Sequence, residues 1–146
     1  MEFYLKKESD IKKVVDYILS DINNSSNKPT VLALVGDLGS GKTTLTKYLA
    51  KELNVENTII SPTFIIHREY KRPKDVGFLH HLDFYRLLNK HELDEIGFET
   101  LLKKDNIIVI EWADKFKEYL DNINDINLVY INFEYINENE RKITIE

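Results

Sequence analysis

Apolar residues recur along this chain with two periods, one typical of helices and one typical of strands. Behind Ser9, a residue that favours a helix N-cap, they recur every three to four positions. These residues are Ile11, Val14, Val15, Ile18, Leu19 and Ile22. A second helical spacing links Leu45, Leu49 and Leu53, with charged residues between them. The pattern therefore predicts two one-sided helices in the first third of the chain.

Strands are predicted from short apolar or alternating runs. Thr30 to Val35 is rich in β-branched residues, and Ile107 to Ile110 is an unbroken β-branched run, so both are predicted as buried strands. Five further strands are predicted at residues 3–5, 63–70, 77–85, 128–135 and 141–145. Helices are predicted at residues 90–103, with a break at Gly97, and at 113–120. Strands and helices in this order predict an α/β fold, and 146 residues are most simply one domain.

The most specific motif lies between the strand at residues 30–35 and the helix behind it. It reads GDLGSGKT and matches G-x-x-x-x-G-K-[ST], the Walker A pattern of phosphate-binding loops. Its glycines let backbone N–H groups approach a phosphate chain, and the positive end of the following helix adds attraction. Lys42 is suited to the β- and γ-phosphates, and the Thr43 hydroxyl is suited to Mg²⁺. The residues expected to bind the nucleotide are Asp37, Leu38, Gly39, Ser40, Gly41, Lys42, Thr43 and Thr44.

An acidic residue ends the buried strand predicted at residues 106–112. Ligands of parallel α/β sheets lie beyond the carboxyl ends of the strands, so Glu111 is expected beside the Walker A loop. A carboxylate in this Walker B position holds Mg²⁺ and orients or deprotonates the attacking water. The spacing alone places the neighbouring Trp112 in the core.

Two shorter segments carry less specific candidate chemistry. Ser61 and Thr63 lie between the loop helix and the next strand, where P-loop NTPases place a switch segment near the γ-phosphate. His81 and Asp83 alternate along a predicted strand and therefore share one face, which suits positioning of a metal or a water. His80 faces the opposite side, and we expect it to be structural or exposed.

Composition narrows the class of protein. Of the 146 residues, 42% are hydrophobic and 31% are charged, as in ordinary globular proteins. A net charge of -5 disfavours nucleic-acid binding by this chain alone, because that needs clustered Lys and Arg. With no cysteine, disulfides and thiolate metal sites are excluded. The chain has neither a signal-peptide pattern nor an apolar run of membrane length, so we expect a cytoplasmic protein and no membrane partner.

Five short motifs follow one another between residues 36 and 112. They are GDLGSGKTTL at Gly36–Leu45, SPTF at Ser61–Phe64, HLDFYRL at His81–Leu87, ELDEIGFE at Glu92–Glu99 and IEW at Ile110–Trp112. In this order and spacing they resemble the TsaE (YjeE) family, the small ATPase of bacterial tRNA threonylcarbamoyladenosine (t6A) biosynthesis. One such motif would be weak, whereas five in sequence are highly specific.

The resemblance implies a P-loop NTPase-like domain of three layers, with a central mixed β-sheet flanked by helices. It implies ATP and Mg²⁺ as cofactors, because Lys42 and Thr43 occupy the Walker A positions that bind them in the family. Glu111 occupies the position that serves the metal. The adenine pocket is the least defined part, and Glu8 and Ser9, ahead of the first helix, are the residues we expect there.

Further roles also follow from the resemblance alone. It makes Asp83 a functional position, makes Ser61 and Thr63 part of a switch-like segment, and moves Trp112 from the core toward the site. It implies that the protein works with the TsaD–TsaB pair, in which TsaD transfers the threonylcarbamoyl group to the tRNA adenosine beside the anticodon. Contact with tRNA would then be indirect, through that complex.

Other functions compete with this interpretation. A small-molecule kinase on the same scaffold would need an Arg-rich lid, but the arginines of this chain are few and scattered. A nucleotide-dependent binding module with negligible hydrolysis is a second alternative. A GTPase is disfavoured because no Asn-Lys-x-Asp motif follows the Walker B strand. With no arginine finger evident in the chain, we expect slow turnover without a partner.

Overall fold

The computed structural model describes residues 1–25, 27–62 and 64–146, which form a mixed sheet with helices on both faces. The strands are β1 (Glu2–Leu5), β2 (Thr30–Val35), β3 (His67–Lys71), β4 (Phe78–Asp83), β5 (Ile107–Glu111), β6 (Asn127–Tyr135) and β7 (Arg141–Ile145). Their order across the sheet is β1-β7-β6-β2-β5-β4-β3. The four central strands run parallel to one another, and antiparallel pairs complete both edges. The predicted α/β fold with a central mixed sheet is confirmed.

Helices and short turns form the outer two layers. The helices are α1 (Ile11–Asn24), α2 (Lys42–Glu52), α3 (Lys90–Glu95) and α4 (Lys117–Asp121). On one face α1 and α2 pack with residues such as Leu32, Leu34 and Val109. On the other face α3 and α4 pack with Ile108 and Ile110. The central strands are covered on both sides, which explains their unbroken apolar runs.

The sheet register brings the carboxyl ends of three parallel strands to one edge. Leu34 of β2 lies opposite Glu111 of β5, and Glu111 lies opposite Asp83 of β4. The loop at residues 36–41 leaves β2 at this edge and leads into α2. Two acidic side chains therefore end beside the start of a helix, as the sequence predicts.

The start of the first helix differs from its prediction. Ser9 is not the N-cap, because it lies inside a 3-10 turn at Glu8–Asp10 that precedes α1. The Asp10 carboxylate accepts the backbone N–H groups of Lys6 (3.0 Å) and Lys7 (3.2 Å), so it stabilises the start of the 3-10 turn and makes no cap hydrogen bond to α1.

The strand predicted from residue 63 begins later. Its predicted first residue, Thr63, lies outside the described residues, and β3 begins at His67. The N–H groups of Ile65 (3.1 Å) and Ile66 (2.7 Å) both donate to the carbonyl of Pro62, which closes a turn. Ile66 has φ 69°, a left-handed conformation that is rare for a β-branched residue. The described residues between Pro62 and His67, which were predicted to be the start of a strand because they are apolar, therefore form a turn.

The helices behind β4 are short. α3 ends at Glu95, Gly97 has φ 71°, and a 3-10 turn follows at Phe98–Leu101, so the helix predicted over residues 90–103 is divided at its glycine. Among the described residues, none of the helices combines the length and the apolar character that crossing a bilayer requires.

Candidate active site

The Walker A loop is held against the sheet by its glycines. A Cβ at Gly36 would lie 2.8 Å from Cβ of Phe133 in the neighbouring strand β6, so no side chain fits there. Gly41 precedes α2 with φ 110°, a conformation that side chains disfavour. The loop can therefore turn directly from β2 into the first turn of α2. The N-terminal N–H groups of that helix are left for an anion.

Lys42, the first residue of α2, is almost fully buried under this loop. Its ammonium group donates to the carbonyl oxygens of Gly36 (2.5 Å) and Asp37 (2.8 Å). Burial lowers the pKa of Lys42, and the negative charges of Glu111 and Asp83 oppose that shift. Within the described ranges Lys42 forms no ion pair. Its ammonium group faces the loop carbonyls, and a phosphate oxygen could replace one of them as the hydrogen-bond acceptor.

Glu111 connects the Walker A helix with the end of the sheet. Its carboxylate accepts the Thr43 hydroxyl, whose oxygen lies 3.1 Å from Oε1 and 3.2 Å from Oε2. Nε2 of His81 lies 2.7 Å from Oε2. Asp83, in the adjacent strand, is also buried, and its Oδ1 accepts the backbone N–H of Tyr85 (2.8 Å). A hydroxyl and two carboxylates thus lie together at the edge to which the loop returns.

These oxygens fit a Mg²⁺ ion that shares its ligands with phosphates. Mg²⁺ takes one or two carboxylates and keeps waters or substrate oxygens for the rest of its shell. In the part of the chain that the structure describes, no cluster of three His, Cys, Asp or Glu side chains could hold a metal unaided. Thr43 and Glu111 therefore provide a partial coordination shell that a bound phosphate would complete.

Trp112 lines the same cleft and also packs against the core on the face covered by α3 and α4. It is half-buried and left-handed, with φ 58°. Its ring lies 4.6 Å from the Lys42 ammonium and 5.0 Å from the ring of Tyr85. The cleft has a volume of about 430 Å³ and is lined by Leu38, Gly39, Ser40, Gly41, Lys42, Thr43, Thr44, Ser61, Asp83, Tyr85, Glu111 and Trp112. It brings together the described residues predicted for the phosphates and the metal, except Asp37, whose carbonyl holds Lys42, and His81, which contacts Glu111 instead.

A second cavity, of about 250 Å³, lies on the other side of the Walker A loop. Its apolar wall consists of Leu5, Ile11, Phe133 and Ile143, and its polar residues include Lys7, Glu8 and Arg141. Gly39, Ser40, Gly41 and Thr44 line both cavities. The predicted adenine-pocket residue Glu8 lines this cavity, whereas Ser9, in the same turn, does not.

Several lining residues escaped the sequence analysis. Phe133 and Arg141 reach the loop only because β6 lies next to β2 and β7 next to β6. The guanidinium of Arg141 donates to the carbonyl of Gly39 at 3.4 Å. Neither residue has a local motif that marks it, whereas Tyr85 lies inside the HLDFYRL motif and was missed despite that signal.

Exposed apolar side chains lie on the first cleft, where Leu38 and Tyr85 line it, and nearby at Phe64, three residues after the lining residue Ser61. Leu38 is 83% exposed, Phe64 81% and Tyr85 53%. Arg86 places its guanidinium 4.9 Å from the Phe64 ring, which connects the segment before β3 to the segment after β4. We call Leu38, Phe64 and Tyr85 the apolar rim. Large exposed apolar groups beside a polar cleft are typical of protein interaction sites.

Comparison with known proteins agrees with this arrangement along almost the whole chain. A family model described as "Threonylcarbamoyl adenosine biosynthesis protein TsaE" matches residues 5–143. The chain belongs to the TsaE family. Members of this family are proteins of threonylcarbamoyladenosine biosynthesis, so tRNA modification is the process to which the chain belongs.

Individual TsaE relatives match over similar lengths. The tRNA threonylcarbamoyladenosine biosynthesis protein TsaE of Rickettsia felis is 36% identical over 97% of this chain and 77% of its own length. The TsaE protein of Aquifex aeolicus is 35% identical over 99% of this chain and 94% of its own length. The crystal structure of Bacillus subtilis YdiB has a TM-score of 0.66 and 27% identity, and the match covers 99% of this chain and 83% of that one.

Proposed function

We propose that this TsaE-family protein binds and slowly hydrolyses Mg-ATP and acts as a nucleotide-dependent switch on the TsaD–TsaB complex. That complex forms the threonylcarbamoyl group on the tRNA adenosine next to the anticodon. The observation that carries the proposal is the contact between Thr43 and Glu111. It joins the Walker A helix to the acidic end of β5, the pairing that a phosphate-bound Mg²⁺ requires.

The nucleotide would lie across the Walker A loop. Its phosphates would occupy the cleft that contains Lys42, with Mg²⁺ held by Thr43 and Glu111. Its base would occupy the second cavity, whose apolar wall suits an aromatic ring. The Glu8 carboxylate there can accept a hydrogen bond from the exocyclic amino group of adenine, which favours adenine over guanine at that edge.

The residues around the phosphates have separate tasks in this proposal. Lys42 and the loop N–H groups stabilise charge on the phosphates, and Mg²⁺ adds Lewis-acid stabilisation when bound. Glu111 and Asp83 orient the attacking water, and both are buried close enough to the cleft to do so. Ser61, which lines the cleft, and Thr63 form the switch segment.

The switch would act through the apolar rim. Phe64 follows directly on the switch segment, and Leu38 belongs to the Walker A loop. Nucleotide binding or phosphate release would therefore move groups that are already exposed to a partner. With a net charge of -5, this chain is suited to a protein partner rather than to tRNA itself. We infer a cytoplasmic location, where tRNA is modified.

The test is phosphate release from Mg-ATP by the purified chain, alone and with TsaD–TsaB from the same organism. We expect slow release alone and stimulation, or ATP-dependent assembly, with the complex. Binding without any release would favour the nucleotide-dependent binding module. Transfer of phosphate to a small molecule would favour the kinase.

The apolar rim can be tested in the same assay. Phe64→Ser should weaken ATP-dependent assembly with TsaD–TsaB by about tenfold or more, since exposed aromatic groups are frequent hot spots. The matched control is Tyr4→Ser, which removes another exposed aromatic group (61% exposed) from the edge strand β1. Equal effects of the two changes would contradict docking at the rim.

A further inference from the structure

His81 is a buried polar side chain with one described partner. It lies on β4 two residues before Asp83 and on the same face of the sheet, and it is 0% exposed. Nε2 lies 2.7 Å from Oε2 of Glu111, and Nδ1 has no hydrogen-bond partner among the described residues. Buried polar side chains are normally fully hydrogen-bonded, so the retention of a histidine here calls for an explanation.

The contact with Glu111 fixes where the ring carries its hydrogen. An ionised carboxylate can only accept, so Nε2 of His81 must donate. Nδ1 can then remain an unprotonated lone pair, which costs less to bury than a second N–H without an acceptor. The ring is thus oriented with its donor toward Glu111.

We infer that His81 is a positioning residue for the metal carboxylate, an inference that rests on the proposed function. By donating to Oε2, His81 holds the Glu111 carboxylate against Thr43, whose hydroxyl oxygen lies 3.1 Å from Oε1 and 3.2 Å from Oε2. The Thr43 hydroxyl donates its hydrogen to Glu111, and its own lone pairs remain available for Mg²⁺. Glu111 is then held in one orientation, and Oε1, which His81 does not contact, is the oxygen better placed to serve the metal, directly or through a water.

His81 does not act on the substrate itself. Asp83 and Glu111 line the cleft, but His81 is not among the lining residues. A proton taken from a water in the cleft would have to pass through Glu111 to reach the ring. The side chain therefore acts on the metal site through Glu111, as donors behind metal ligands commonly do.

The test compares two amide substitutions of different length. The nitrogen of His81→Gln can reach the position of Nε2, whereas His81→Asn is too short to reach Glu111. The readout is calorimetric affinity for a non-hydrolysable ATP analogue at increasing Mg²⁺, and in EDTA. We expect His81→Asn to need about 10–100-fold more Mg²⁺ for tight binding, with unchanged affinity in EDTA, and His81→Gln to stay within about threefold of wild type.

The neighbouring buried histidine provides the matched control. His80→Gln changes the same residue type on the same strand but on the opposite face, so it should lower stability and leave the Mg²⁺ requirement unchanged. If His81→Asn does not fold, His81→Leu is measured instead, because it removes the donor without adding an unpaired polar group.

The outcomes separate this inference from the proposed function. A wild-type chain that binds no nucleotide would overturn both. A wild-type chain with Mg²⁺-enhanced nucleotide binding, and a folded His81 variant with the same Mg²⁺ requirement, would overturn the positioning role alone. Equal losses in His81→Asn and His81→Gln would also overturn it, because only one of them lacks a donor at Glu111.

Discussion

Two adjacent histidines of strand β4 lie on opposite faces of the sheet and have different surroundings. His81 faces α2 and meets the Glu111 carboxylate at the candidate active site. His80 faces the other side, where its Nδ1 lies 2.9 Å from Nε2 of His67 and its Nε2 lies 3.3 Å from the side-chain amide of Asn106. Both are nearly inaccessible to solvent. Because side chains alternate along a strand, His81 faces a charged site, whereas His80 faces a network of neutral groups.

The network around His80 is a line of hydrogen bonds that runs from Phe78 through Asn106 and His80 to His67. Oδ1 of Asn106 accepts the backbone N–H of Phe78 at 3.0 Å, so its amide nitrogen faces His80. His80 then accepts at Nε2 and donates from Nδ1 to His67. Burial, followed by the nearby charges of His67 and Lys103, lowers the pKa of His80 to about 4. One face of β4 is therefore built for charge and the other for neutrality. We expect substitutions on the His81 face to impair function and substitutions on the His80 face to lower stability.

The largest functional effect is expected from Lys42→Ala. Removing this ammonium group should weaken ATP affinity on the order of 100-fold or more, because a buried charged hydrogen bond to phosphate is lost. Calorimetry measures the affinity, and thermal unfolding should show that the fold persists. Unchanged ATP turnover in this variant would contradict the Walker A assignment.

Glu111→Gln should uncouple binding from turnover. The amide keeps the shape of the carboxylate but loses the charge that serves Mg²⁺, so phosphate release should fall on the order of 100-fold. Nucleotide affinity in EDTA should stay near wild type, because the loop contacts remain. A variant that hydrolyses ATP at the wild-type rate would place the catalytic metal ligand elsewhere.

Low pH should lower the stability of the protein through His80, on the face of β4 opposite the candidate active site. Because the folded pKa of His80 lies below its usual 6.5, the unfolded chain binds a proton first. The contribution of His80 to stability is fully present above about pH 6.5 and is lost as pH falls toward about 4, by up to about 3 kcal/mol. The pKa of His67 is lowered in the same direction by burial. Urea unfolding between pH 7 and 5 measures this slope.

Two variants identify the source of that slope. His80→Phe should flatten it, because the titrating group is removed. His91→Asn should not change it, since His91 is exposed and its ion-pair partner among the described residues is Glu95, on the surface of α3. An equal slope in wild type and His80→Phe would assign the acid sensitivity to His67 or to carboxylates instead.

The smallest of these effects is expected from His67→Phe. It leaves the Nδ1 hydrogen of His80 without its acceptor, which should cost about 1–3 kcal/mol of unfolding free energy. Affinity for Mg-nucleotide should change less than about twofold, because the network does not touch the cleft. A large loss of nucleotide affinity in the folded variant would show that the two faces are coupled.

Most of the fold could be predicted because its central strands are buried on both sides. The runs at Thr30–Val35 and Ile107–Ile110 are apolar for that reason, and their parallel pairing places Glu111 beside the Walker A loop. The alternation of His81 and Asp83 likewise follows from strand geometry alone. In such regions, local pattern and tertiary position agree.

The remaining features depend on contacts distant in sequence. Phe133 and Arg141 line the second cavity because of the strand order, which no local pattern encodes. The left-handed turn at Ile66 contradicts the strand preference of its own side chain and is held by two hydrogen bonds to Pro62. Pairing of His67 with His80 also requires the hairpin register, which fixes their relative position.

The single tryptophan of the chain gives the protein an internal optical reporter. Trp112 places its indole ring 4.6 Å from the ammonium group of Lys42, and no other tryptophan contributes to the emission. If nucleotide binds as proposed and that charge turns from the ring toward a phosphate, the electric field on the indole should change, and with it the colour and intensity of the fluorescence. Loading of the site can therefore be followed in the unlabelled protein, in real time and in the presence of partners that lack tryptophan near their contact surface.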